Sequence, residues 1–376
     1  MNAGLCFNDV LPYDGRPAPL VKRDGKYYIR LKEAGAAKVQ MAYAEAIFDF
    51  TNTGDDIWEI RLPFKSAINY VQIIVDGRET LEAVLPVTYG YSRIYNCIEL
   101  PVEGEDFYAL KDVPHGSVRK EYFFSKVTGE WESCMVYTPA EYDENPDKIY
   151  PVLYLQHGHG ENELGWTISG KANLIMDNLI AEKKAVPFVI VMNNGMVQKK
   201  VSEEGTKASG EEAVNTAHIV DHLLFEPMLI EDVIPFIEGK YHVGGSRENR
   251  GMAGLSMGSI QTSMIVCNHP EMFSEAGIFS GFLRDWISSS ELDMSCHELS
   301  KDQHLKAMED TEKFNNSFNT FFRAIGEADP FMEHFLSDDE FCREHGINCT
   351  RQIYEGTHDW NVWRMCLRDF AQLIFK

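Results

Sequence analysis

The feature that most restricts this chain is a change of pattern at Pro114-His115-Gly116. Before it, short apolar runs of period two (Tyr27–Leu31, Val39–Ala42, Trp58–Leu62, Tyr70–Val75, Tyr95–Leu100) are broken by Asp24-Gly25, Asp55-Asp56 and Asp76-Gly77. Turn residues at such spacing between alternating strands predict an all-β sandwich of about a hundred residues. After it, strand-like runs alternate with longer amphipathic stretches. The runs are Cys134–Tyr137, Pro151–Gln156, Val186–Met192, Gly251–Leu255, Ala276–Phe279, Phe321–Ile325 and Asn348–Tyr354. The helical stretches include Ala172–Glu182, Ile230–Tyr241, Gly258–Asn268 and Asn361–Phe375. Strand–helix alternation predicts a mostly parallel sheet with helices on both faces and ligands beyond the carboxyl ends of its strands. Two units are expected, a β-sandwich over residues 1–114 and an α/β unit over residues 115–376.

Composition narrows the partners. With 44% apolar and 25% charged residues in 376, the chain can bury a sizeable core, and disordered or coiled-coil readings fall away. Acidic residues number 58 against 35 Lys and Arg, a formal charge of −23. Polyanions are bound by surplus Lys and Arg, so neither nucleic acid nor an anionic membrane is an expected partner. The cysteines, Cys6, Cys97, Cys134, Cys267, Cys296, Cys342, Cys349 and Cys366, form no CxxC pair and often sit in apolar runs, which predicts buried free thiols. Met1 to Tyr13 has no basic and apolar pattern of a signal peptide, so the expected location is cytoplasmic. Two long loops, residues 195–217 and 281–319, are candidate lids or binding loops.

Gly254-Leu255-Ser256-Met257-Gly258 follows a strand-like run and opens a helical one. In that setting G-x-S-x-G marks a nucleophile elbow, a turn so tight that glycine is needed two residues either side of the serine. A serine hydroxyl needs a histidine base oriented by a carboxylate, expected here in the order Ser, acid, His. His358, in Glu355-Gly356-Thr357-His358-Asp359-Trp360, follows the last predicted strand and is the candidate base. His345 precedes that strand, and His334 belongs to a connecting helix. Asp329, in Gly326-Glu327-Ala328-Asp329-Pro330, is the candidate acid, with Glu327 as the open alternative. Asp338, Asp339 and Glu340 read as a solvated acidic face, and Asp359 adjoins the base too closely to orient it.

A tetrahedral intermediate needs donors for its negative oxygen. The candidates are the backbone N–H of Met257 and that of His159, in Gln156-His157-Gly158-His159-Gly160, where Gly158 lets the backbone approach a substrate. His157, His159, His218 and His222 raise a metal reading, but Ile219 replaces the Glu of an HExxH pattern and no third ligand is identifiable. No metal and no cofactor are expected. Trp360, beside the base, and Trp166, after the oxyanion loop, are candidate aromatic walls of the acyl site, with Trp286 and Phe314 in a segment that would cover it.

Three runs, Tyr150 to Gly158, Met252 to Gly258 and His358 to Arg364, together resemble the esterase D-like α/β-hydrolases, and within them carbohydrate esterase family 1, the feruloyl and acetyl-xylan esterases. The resemblance covers about Val118 to Lys376. The segments Asp55 to Trp58 and Val71 to Gly77 resemble the immunoglobulin-like early-set domain that precedes many such enzymes. It implies the triad Ser256, Asp329 and His358. His159 and Ser259 stand where the family usually, or often, has glycine, which removes no backbone donor. It further implies hydrolysis of hydroxycinnamoyl esters of plant carbohydrate or small polyols, feruloylated oligosaccharides among them. Rivals are a carbohydrate deacetylase, an S-formylglutathione hydrolase-type thioesterase and a siderophore-type esterase. From another class comes a glycan-binding protein with an inactive hydrolase unit. Self-association into a homo-oligomer stays open.

Overall fold

The computed structural model describes residues 19–64, 67–102, 104–200, 218–281, 283 and 307–376. The chain divides into two compact units, with the boundary between Leu110 and Lys111.

The first unit is two antiparallel sheets. One is formed by β1 (Leu20–Arg23), β2 (Lys26–Lys32), β6 (Ile57–Arg61) and β5 (Thr51–Gly54), in that order. The other runs β4 (Ala46–Asp49), β3 (Val39–Tyr43), β7 (Ala67–Val75), β10 (Arg93–Leu100) and β9 (Val87–Gly90), with β8 (Arg78–Thr80) also paired to β7. Period two makes the sandwich. Ile29 and Leu31, Val39 and Met41, Trp58 and Ile60, Val71 and Ile73, and Ile98 and Leu100 each send alternate residues into one shared core. Among the unit's aromatics, Trp58 belongs to that core, and Tyr91 is exposed.

The second unit holds an eight-stranded sheet. Its order is β11 (Ser117–Phe124), β12 (Trp131–Thr138), β14 (Val189–Asn193), β13 (Val152–Gln156), β17 (Arg250–Leu255), β18 (Glu275–Phe279), β19 (Thr320–Gly326) and β20 (Thr350–Tyr354). The first two pairings are antiparallel and the rest parallel. The helices are α1 (Gly165–Ile168), α2 (Ala172–Ala181), α3 (Phe225–Met228), α4 (Ile234–Lys240), α5 (Met257–Asn268), α6 (Thr311–Ser317), α7 (Met332–His345) and α8 (Trp360–Ala371). Strands β13, β14 and β18 are buried along their whole length, as strands covered on both faces must be. The architecture is an α/β-hydrolase sheet preceded by a β domain, as the pattern predicts. Every expected run in this unit overlaps a strand. A short hairpin of β15 (Gln198–Lys200) and β16 (His218–Val220) lies between β14 and α3. The candidate lid residue Trp286, the cysteines Cys6 and Cys296, and most of the 195–217 loop lie outside the described residues.

Two expectations are corrected. Asp338 and Asp339 do not form a solvated face. Arg323 on β19 is fully buried and draws both toward it: Nη1 donates to Asp339 Oδ1 at 2.8 Å, and Nη2 lies 3.5 Å from Asp338 Oδ2 and donates to the Phe335 carbonyl at 3.1 Å. Arg351 Nε closes the network on Asp339 Oδ2 at 2.5 Å. Phe314 covers no site; it is 3% exposed on α6, packed against Phe318 and Phe321 near the amino-terminal end of β19. Removing one member of a buried ionic network costs about 3–5 kcal/mol. Arg323→Met is expected to lose that much in urea denaturation, while Arg343→Met, on the exposed face of α7, is expected to change stability by less than about 1 kcal/mol.

Candidate active site

The carboxyl end of β17 turns directly into α5. Ser256, at the turn, has φ 51° and ψ −119°, a strained conformation for a non-glycine residue. Glycine is required on both sides for steric reasons. A Cβ on Gly254 would stand 2.3 Å from the Gly258 carbonyl oxygen, and one on Gly258 would stand 2.5 Å from the His157 carbonyl oxygen. The Ser256 amide donates to Phe279 O at 3.0 Å, tying the turn to β18. Ser259 donates its hydroxyl to Ser256 O at 2.6 Å and fills the space a Gly281 Cβ would need.

The loop after β13 lies against this serine. A Cβ placed on Gly158 would be 2.8 Å from Leu255 Cδ1 and 3.4 Å from Ser256 Cβ. The Gly158 amide is already taken by Glu161 Oε2, at 3.2 Å. The Met257 amide is the first of α5, with no carbonyl of a preceding turn to meet it. Among the described residues the His159 amide likewise meets no acceptor. These are the two N–H groups expected to hold an oxyanion, and α5 adds the positive end of its dipole there.

The acid and base come from the ends of β19 and β20. His358 Nδ1 lies 2.8 Å from Asp329 Oδ2, and since a carboxylate accepts, that nitrogen carries the proton and leaves Nε2 as a base. The Asp329 side chain is fully buried, and its Oδ1 accepts from Phe331 N at 2.9 Å. Glu327 is exposed, so the open alternative resolves to Asp329. The two loops are zipped by Glu327 N to Tyr354 O at 2.8 Å, Ala328 N to Gly356 O at 2.9 Å and Thr357 Oγ1 to Ala328 O at 3.0 Å. Asp359 caps α8 through the Asn361 and Val362 amides at 2.9 and 3.2 Å, the role its place next to the base left for it.

The tryptophans stand elsewhere than expected. Trp166 is fully buried, donates its indole N–H to Gln156 O at 2.8 Å and packs edge-on to Trp360 and Phe279. Trp360 is 3% exposed, with its indole N–H on Glu161 Oε1 at 3.1 Å and its ring against Trp363. Both rings are closed in by their neighbours, against the reading of them as open walls of an acyl site. The ring that meets the base is Trp363, edge-on to His358 at 5.1 Å, with Phe331 edge-on at 5.2 Å. Half-buried Met196, Leu223 and Phe331 pack around Met257, and the sequence reading passed over all three. Their signal was weak, because they come from separate loops with no shared spacing.

Of the histidines, His218 sits on β16 and pairs with Glu130 at 3.1 Å, while His222 sits in a 3-10 turn, so the helical i,i+4 relation does not form. The His222 ring reaches the exposed His159, 6.0 Å between centroids. His157 is buried, donating from Nδ1 to Gly158 O at 2.8 Å and accepting from Gly195 N at Nε2 at 2.9 Å. That arrangement suits only the neutral ring, and burial holds its pKa down at about 4. Glu161, also missed from sequence, is buried between the Gly158 amide and the Trp360 indole.

The Esterase family model matches residues 125–372, most of the chain. The chain belongs to this esterase family. An endo-1,4-beta-xylanase/feruloyl esterase of Xylanibacter ruminicola is 32% identical over 319 residues, covering 84% of this chain and 39% of that protein. The chain thus spans about two fifths of that relative's length. A ferulic acid esterase of Anaeromyces mucronatus, solved with ferulic acid, matches with TM-score 0.58 at 24% identity, over 72% of this chain and 96% of its own. The enterobactin esterase of Shigella flexneri matches with TM-score 0.64 at 11% identity, over 94% of each chain. At these identities the two structures speak for the fold.

Burial of neutral His157 links the protein's stability to pH. The unfolded ring protonates near pH 6.5 and the folded one near about 4, so the unfolded state binds the extra proton between those values. Stability is expected to fall as pH drops through that window, by up to about 3 kcal/mol from this residue. Chemical denaturation from pH 7 to pH 4 should show a shallower fall in His157→Gln than in wild type once the neutral-pH difference is subtracted.

Proposed function

We propose that the protein is a serine carboxylic-ester hydrolase that releases hydroxycinnamic acids of the ferulate type from esters of plant carbohydrate or small polyols. Ser256 Oγ attacks the ester carbonyl while His358 Nε2 takes its proton. The Met257 and His159 amides hold the resulting oxyanion, each such donor being worth roughly 3 kcal/mol. His358 then protonates the leaving alcohol, and Asp329 stabilises the imidazolium. Water, deprotonated by the same ring, cleaves the acyl-enzyme and restores the serine.

For the chemistry, the reading rests on the 2.8 Å Asp329–His358 bond and on the strained serine at the start of α5. For the acyl group, the observation that carries it is the 32% identity, across 84% of the chain, with a relative named for feruloyl esterase activity. Apolar, half-buried Met196, Leu223 and Phe331 next to Met257 are consistent with an aromatic acyl group.

The test is turnover of methyl ferulate, chlorogenate, 4-nitrophenyl acetate, S-formylglutathione and a catecholate trilactone by wild type and Ser256→Ala. Hydroxycinnamate esters are expected to be the best substrates, with kcat reduced at least about a thousandfold by the substitution. Preference for the thioester, acetate or trilactone would move the substrate assignment to that class. Equal rates in both proteins would remove Ser256 from the mechanism.

A further inference from the structure

Two thiols meet at the amino-terminal end of the parallel sheet, far along the chain from Ser256, where the Cys342 S–H donates to Cys349 Sγ. A sharp reversal of the backbone brings them together. Helix α7 ends at Gly346, whose φ of 68° is left-handed, and the Gly346 and Ile347 amides both turn back to Cys342 O, the latter at 2.8 Å. Asn315 of α6 clamps the exit from this turn: its Nδ2 donates to Gly346 O at 2.9 Å, and its Oδ1 accepts from Asn348 N at 2.8 Å. Thr311 Oγ1 adds a bond to His345 O at 2.9 Å. Holding the backbone at His345, Gly346 and Asn348 keeps the two thiols side by side.

Their surroundings differ. Cys342 is 4% exposed within the apolar core. Cys349, just before β20, is half-buried and lines a surface cavity of about 490 Å³, with Asn315, Asn319, Asn348 and Thr350 among its walls. A cation also reaches the pair: Arg323 of β19 gives its two Nη atoms to α7, while its Nε, fully buried, has no acceptor. The charged groups facing the thiols are this guanidinium, Asp338 and Asp339. The Cys342 S–H and Arg323 together hold the Cys349 thiol below its ordinary value, against its burial and the Asp339 carboxylate. Burial alone acts the other way on Cys134 and Cys267, pushing both up to about 12.

We propose that Cys349 is a peroxide-reactive thiol and Cys342 its resolving partner, so that a hydroperoxide closes a disulfide between the end of α7 and the start of β20. Reactive thiols are those reached by solvent and beside both a positive group and a second cysteine, and Cys349 meets all three conditions. With hydrogen peroxide, the Cys349 thiolate forms a bond to one peroxide oxygen and the O–O bond breaks. The departing hydroxide takes up the proton the thiol gave and leaves as water, and Cys349 becomes a sulfenic acid. Cys342 then attacks the Cys349 sulfur, the S–O bond breaks, and the released hydroxide carries off the Cys342 proton as a second water. The two thiols are oxidised by two electrons and the peroxide is reduced by two. This site is independent of the esterase reading.

The experiment treats the folded wild-type chain with hydrogen peroxide, blocks remaining thiols with N-ethylmaleimide and digests with trypsin for mass spectrometry. Arg343 lies between the two cysteines, so trypsin separates them and only a disulfide keeps their peptides together. The expected product is that linked pair, two hydrogens lighter than its reduced halves, from protein that still migrates as a single chain without reductant. Cys349 is expected to lose its free thiol at least about tenfold faster than Cys267. In Cys342→Ser, dimedone should capture the sulfenic acid at Cys349, and in Cys349→Ser, Cys342 should stay reduced. Oxidation of Cys349 no faster than that of Cys267, linkage to another cysteine or a second chain, or oxidation of Cys342 in Cys349→Ser overturns the proposal. Because wild type reports directly, a variant that folds poorly leaves the test decisive.

Discussion

Backbone approaches too close for any side chain set the geometry at the carboxyl end of the sheet. The Gly258 carbonyl would stand 2.3 Å from a Cβ at Gly254, the His157 carbonyl 2.5 Å from one at Gly258, and the Gly356 carbonyl 2.7 Å from one at Gly326. The first contact folds β17 back into α5 and forces Ser256 to positive φ. The second presses the oxyanion loop against that turn. The third brings the loop carrying Asp329 onto the loop carrying His358, so that acid and base are registered by main-chain bonds before their side chains meet. Strain at Ser256 is thus held by neighbours on three sides rather than by any single contact.

The electrostatic layout follows from the same crowding. Burial at this end of the sheet pushes His157 and Glu161 toward their neutral forms. Fixed dipoles therefore dominate the field where an oxyanion would form: the first amides of α5 and the amide of His159. The fully buried guanidinium of Arg323 is treated differently. Its two Nη atoms are met on α7 by Asp339, Asp338 and the Phe335 carbonyl, and it lies over the Phe335 ring at 4.3 Å.

Much of this was legible in the residues. Long apolar runs read as strands because parallel strands buried on both faces have no polar side to confuse them, and G-x-S-x-G pointed to the turn that the structure shows between β17 and α5. What escaped was whatever depends on partners far along the chain. The edge strand β11, Ser-Val-Arg-Lys-Glu-Tyr-Phe-Phe, carries charges on its open side and gave no apolar run. Asp338 and Asp339 look solvated until Arg323, fifteen and sixteen residues earlier, is folded against α7. Glu161 looks like any loop acid until Trp360, 199 residues away, is seen to donate to it.

The tryptophans carry the most instructive difference. An aromatic ring next to a catalytic base suggests a wall for an aromatic acyl group, and residue type and position both favour it. Packing decides otherwise, because a wall must keep one face open, and the rings of Trp166 and Trp360 are closed in by one another and by Phe279 and Trp363. Their work is mechanical: Trp360 anchors the start of α8, and Trp363, one turn on, holds the His358 ring edge-on. The half-buried Met196, Leu223 and Phe331 pack against the cluster of Met257 and Ile260, and the rings of His159 and His222 lie 6.0 Å apart. Apart from His159, these side chains sit on connections outside the oxyanion loop and the nucleophile elbow. Side chains on such connections can change while the close-packed glycine contacts of the elbow stay as they are.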